Sequence, residues 1–147
     1  MLAARHLGTS FSRRAACVCL GVLALGAAAA PQRSGSYMGR AWLLIGESSR
    51  ANDFLGQHVQ DRELARLVAQ SAEARLQAAT DTNVPAEVTL AHPHLLLMLE
   101  HYERAAAAAA SGSPGRFAQH ATSARDEEQI FRSVLHQLGW SLPPGRP

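Results

Sequence analysis

The sequence predicts an all-α protein: a small antiparallel four-helix bundle preceded by an N-terminal signal peptide. Three observations carry that prediction. Four stretches repeat apolar residues three and four apart, the period of a helix with one buried face, and none shows the alternation of a half-buried strand. Turn chemistry rich in Gly, Pro, Asn, Asp and Ser separates the four stretches. The first thirty residues differ in composition from everything after them.

Residues 1–30 read as the signal. Arg5, Arg13 and Arg14 stand in a segment without acidic residues, and residues 15–30, AACVCLGVLALGAAAA, carry no charge. A basic start, a short apolar run and small residues at its end describe a secretory signal peptide. The uncharged run has 16 residues, short of the roughly 20 that span a bilayer. Export to the periplasm or the medium is therefore expected. Retention by residues 15–30 as an uncleaved membrane anchor is the alternative. Ser12, Arg13 and Arg14 resemble the start of a twin-arginine export signal. Ala16 and Cys17 stand where that signal carries hydrophobic residues, so the general secretory route is favoured. Cleavage is expected near residues 27–30, and Pro31 disfavours a cut directly after Ala30.

Loss of the signal changes two inferences. Cys17 and Cys19 are the only cysteines, so the mature chain has neither a disulfide nor a thiolate. All 14 basic residues are arginines, and three of them leave with the signal. The remaining eleven stand against 12 acidic residues, for a net charge of about −1. The basic pI near 8.9 thus belongs to the signal. No basic patch remains to neutralise phosphates, which excludes nucleic acid as a partner. The lack of lysine excludes Schiff-base chemistry.

Residues 31–36 form a flexible lead-in, residues 37–140 the bundle and residues 141–147 a tail. The first helix spans 37–55, with Tyr37, Ala41, Leu44, Ser48, Ala51 and Leu55 inward and Gly56 at its end. Asp61 is a good N-cap for a second helix over 62–79. Its inner face takes Leu64, Leu67, Val68, Ser71, Ala72, Ala78 and Ala79. Residues 80–92 read as a loop holding one helical turn. His92 precedes a proline, which disfavours helical backbone, so it falls in that loop. Pro93 suits the first position of a third helix over 93–110, whose alanine run at 105–110 is strong helix former. SGSPG at 111–115 is a short turn. The fourth helix covers 116–138, and Gly139 sits where a left-handed C-cap lets Trp140 fold back.

Some polar residues fall on apolar faces. In the third helix His94, Met98 and His101 follow at i, i+4 and i+7 on the inward side, while Glu100, Glu103 and Arg104 face water. In the fourth, Glu128 lies within the apolar face and His120 at its edge; the charge run at 125–127 reads as solvated. Arg75 in the second helix, and more mildly Ser48 and Asn52 in the first, intrude likewise. An unpaired buried carboxylate is costly and a guanidinium keeps its proton. Arg75 and Glu128 are therefore expected to meet, in a buried polar network that includes His101 and His94.

A metal site is the alternative use of these residues: His94, Met98 and His101 opposite His120 or Glu128. Histidine with methionine suits copper, and histidine with glutamate suits zinc or iron. Two helical histidines seven apart differ by roughly 10 Å in rise, so one ion is not easily shared between them. Neither the Glu-x-x-His motif of di-iron bundles nor the His-Glu-x-x-His motif of zinc proteases occurs. Nothing supplies a nucleophile elbow or a cofactor loop, so no catalytic residue and no cofactor is assigned. His58 and His136 read as surface positions. The function expected is an exported helical-bundle protein acting as a binding or structural interaction module. Its partner would be a protein or a small ligand, with membrane contact only through an uncleaved N-terminal segment. Trp42, Leu43 and Ile130 lie off the inner faces and are the candidates for an exposed apolar patch.

Overall fold

A computed structural model describes residues 34–143. The signal-peptide assignment for 1–30, the start of the lead-in and the end of the tail lie outside the described residues. Within them the chain is all-helical: α1 (Ser34–Gln57), α2 (Arg62–Thr80), a single 3-10 turn (Ala86–Val88), α3 (His92–Ala110) and α4 (Pro114–Gln137). No strand occurs among the described residues, and the helices pack as a bundle.

The helix ends follow from capping chemistry. The Asp61 side chain accepts from the Leu64 N–H at 2.9 Å and caps α2. Pro93 and Pro114 stand in the first turns of α3 and α4, where a missing N–H leaves no bond unmade. Both of these helices finish with the same closing turn. Gly112 (φ 73°) and Gly139 (φ 79°) take left-handed backbone. The next N–H reaches five residues back, Ser113 to Ala108 at 2.9 Å and Trp140 to Leu135 at 2.9 Å. Trp140 thereby packs against the core, as the position of Gly139 predicts. A Cβ on Gly112 would collide with the Arg62 guanidinium.

Several boundaries differ from expectation, and α4 begins at Pro114, inside the stretch expected to be a turn, because a proline suits the first turn of a helix. Helix α1 starts within the expected lead-in and runs past Gly56. Tyr37 and Met38 are both buried, so packing holds the first turn in place. His92 belongs to α3 rather than to the loop, because its ring docks on Tyr37.

The faces of α1 and α2 are also rotated from the sequence reading. Ile45 and Asn52 are buried in α1, where Leu44 and Ala51 are only partly so. In α2 Ala72 and Ala79 are buried as expected and Ala65, seven residues before Ala72, joins them, while Leu67, Ser71 and Ala78 are exposed. Small residues let two helix backbones approach closely. Ala65 of α2 shares one buried cluster with Ala105, Ala106 and Ala109 of α3, together with Leu55 and Phe117. A wheel centred on the largest apolar residue misses Ala65, whose burial is selected by closeness.

The core has two apolar parts. One gathers Tyr37, Ile45, Val88, Leu95, Met98 and Phe131 with their neighbours; the other is the alanine-rich cluster around Leu55. Burying a side chain such as Leu95 or Phe131 is worth about 1.5–3 kcal/mol. Between the two parts lies a polar belt.

Candidate functional site

The belt is built from heptad positions that carry the wrong chemistry. Along α1 the inward residues Met38, Ala41, Ile45, Ser48, Asn52 and Leu55 follow at steps of three and four. Ser48 and Asn52 are therefore carried into the bundle by the apolar residues on either side. Ser48, Ser49 and Asn52 are buried. Tyr102 of α3 is buried opposite them, and burial raises its pKa. The Ser48 hydroxyl, the Asn52 Oδ1 and the Tyr102 hydroxyl have no hydrogen-bond partner. Ser49 lies near enough to Tyr102 to offset part of that rise. At the outer edge, Arg125 of α4 reaches Asp53 of α1 at 3.3 Å.

The expected pair between Arg75 and Glu128 is not formed. Arg75 donates to Ser71 on its own helix at 2.8 Å. Burial lowers its pKa, and nearby Glu47 of α1 partly offsets that. Glu128 does turn partly inward, its side chain 19% exposed, but it takes Arg132 one turn on at 2.8 Å. Each charge finds an (i, i+4) partner without crossing the bundle, so neither enters the interior unpaired.

The histidines separate into three pairs of contacts. His94 Nδ1 donates to Glu127 Oε2 across α3 and α4 at 2.8 Å, so Glu127 is a half-buried partner rather than part of a solvated charge run. His101 stacks on His120 with ring centroids 5.8 Å apart, and its Nδ1 is buried without a partner. His92 Nδ1 lies 3.1 Å from the Tyr37 hydroxyl. Burial lowers the His92 pKa and pushes Tyr37 up to about 12, so both are neutral near pH 7. The hydroxyl can then donate to a bare Nδ1, leaving the ring proton on Nε2. Arg40 and Thr82 line the narrow crevice around this pair. Sequence reasoning missed both His92 with Tyr37 and His94 with Glu127, since only the contact between helices sets which residues face each other.

Of the five metal-ligand candidates, the structure brings His101 and His120 together. Met98 is fully buried in the apolar core, His94 is engaged by Glu127, and Glu128 is engaged by Arg132. Among the described residues no three His, Cys, Asp or Glu side chains converge. None of the described helices is long and apolar enough to cross a membrane. The belt holds hydroxyls and an amide at heptad positions that are otherwise apolar. Comparison with known protein families, characterised proteins and solved structures finds no match.

Proposed function

We propose that the protein is an exported antiparallel four-helix bundle acting as a binding or structural interaction module. Support for the antiparallel order comes from register. His94 faces Glu127 and His101 faces His120, so seven residues forward along α3 match seven back along α4. Support for export is the charge and apolar pattern of residues 1–30.

The observation that carries the interaction reading is the set of large apolar side chains left facing solvent: Leu43 and Phe54 on α1, Leu67 on α2, Leu90 before α3, Leu97 on α3 and Ile130 on α4. Leu43 and Ile130 are the residues expected from the sequence. Trp42 is half-buried and already engaged. Apolar surface of this kind marks interaction sites when it is contiguous. Photo-cross-linking residues placed at positions 67, 90 and 130 in an exporting host should give discrete adducts, with exposed Glu73 as the silent control. No adduct at any of the three would refute the module reading. The mass of the recovered protein should show loss of residues up to about 28–30, and an intact N-terminus would refute cleavage.

The alternative, an exported metal-binding protein, has the stacked His101 and His120 and the orphaned His101 Nδ1 in its favour. Such a site would take copper or zinc on two imidazoles, with the remaining positions filled by solvent.

A further inference from the structure

The outward face of α1 carries one stripe of mixed apolar and charged residues. Leu43, Glu47, Arg50 and Phe54 follow at steps of four, three and four. At 100° per residue they fall within about 60° of one another, a single stripe roughly 16 Å long. All four are exposed to a similar degree: Leu43 51%, Phe54 50%, and the side chains of Glu47 55% and Arg50 47%. The order is apolar, acidic, basic, apolar. It is symmetric in apolar character and antisymmetric in charge about a point midway between Glu47 and Arg50.

From that pattern we infer that the partner of this face is a second copy of the same chain, paired across a two-fold axis. In a two-fold interface each contact occurs twice, residue i on j and j on i. Laid antiparallel with the axis at the midpoint, Leu43 meets Phe54 of the second copy, and Glu47 meets Arg50 of the second copy. No apolar residue is left opposite a charge, and no charge is left opposite its like. A parallel arrangement would set Glu47 on Glu47 and Arg50 on Arg50, which repels. One step further out the same register sets Gly39 opposite His58. A Cβ at Gly39 would meet nothing within 4 Å, which leaves open space for the ring, and His58 already stands against Phe54 with centroids 4.7 Å apart.

Other features agree. Glu47 and Arg50 pair within their own helix, so association adds a neighbour to an existing ion pair instead of desolvating a lone charge. The mature chain has a net charge of about −1, which does little to keep copies apart. The stripe is smaller than the roughly 800 Å² per partner of a standard interface. Association is therefore reversible and weak.

This deepens the interaction reading by naming a partner, and charge reversal tests it. Sedimentation equilibrium of the exported protein, purified without a polyhistidine tag, should show a monomer–dimer equilibrium. Glu47→Arg sets arginine on arginine at both symmetry-related contacts, and Arg50→Glu sets glutamate on glutamate. Each should weaken dimerisation at least about tenfold. An equimolar mixture of the two variants should recover it. The arginine introduced at position 47 of one variant then meets the glutamate introduced at position 50 of the other, and the native pair forms at the second contact. The double variant Glu47→Arg/Arg50→Glu should also dimerise. Circular dichroism confirms that each variant keeps its helices. A wild-type monomer at millimolar concentration, single variants that dimerise like wild type, or a mixture that stays monomeric would each overturn the inference. The cross-linking positions 67, 90 and 130 lie off this stripe, so adducts there would uphold the module reading even if self-association fails.

Discussion

Replacing Ser48 by alanine should stabilise the protein. Ser48 is 1% exposed and its hydroxyl has no partner. An unsatisfied buried polar group costs about 1–3 kcal/mol, and alanine has a helix propensity a few tenths of a kcal/mol better than serine. Against this stands the small void left by one oxygen, worth a few tenths at about 24 cal/mol per Å³. The net expectation is a gain of about 1–2 kcal/mol. For a domain of this size that corresponds to roughly 4–8 °C in Tm. Urea denaturation followed by helical circular dichroism should show a higher midpoint with an unchanged slope. Asn52→Leu, nearly isosteric, should act in the same direction through the orphaned Oδ1. The second variant tests specificity too. A polar residue at a heptad position fixes register at the expense of stability, so the double variant should be more stable and more prone to alternative packing, seen as broadened amide resonances. A loss of about 1 kcal/mol or more on Ser48→Ala would overturn this account, since it would mean that the hydroxyl is satisfied in solution.

Two further outcomes follow from the ends of α3. The His92 pKa is lowered in the folded state by burial, so the unfolded chain binds the proton more readily. The stabilisation is complete above the ordinary value of 6.5 and declines as pH falls below it. Urea midpoints should fall more steeply with acidification below pH 6.5 in wild type than in His92→Gln, and equal pH slopes would contradict the assignment. Gly112→Ala should destabilise by about 1–2 kcal/mol through its positive φ. It should cost more than Gly139→Ala, which has the same backbone strain but open space where Gly112 faces Arg62; equal thermal shifts would show that Arg62 moves freely.

The number and order of helices were legible in the chain, because helical period, caps and turn glycines act over a few residues. Asp61, Pro93 and Gly139 each do what their local chemistry dictates. Legible too was the inward turn of Ser48, Asn52 and Glu128, since neighbours at steps of three and four carry them there. Partners were settled only by packing. Arg75 and Glu128 looked complementary on two separate wheels, yet each closes an ion pair or hydrogen bond on its own helix. The inner face of α2 kept the expected Ala72 and Ala79 but took Ala65 and left Leu67 exposed, and at Ala65 the alanines of α3 permit close approach. His94 found Glu127 and His92 found Tyr37 because the relative depth and rotation of two helices bring those residues level. A wheel gives the direction of a side chain from its own axis. The distance and phase of the next axis are set by packing the whole core at once, and no single helix carries that information.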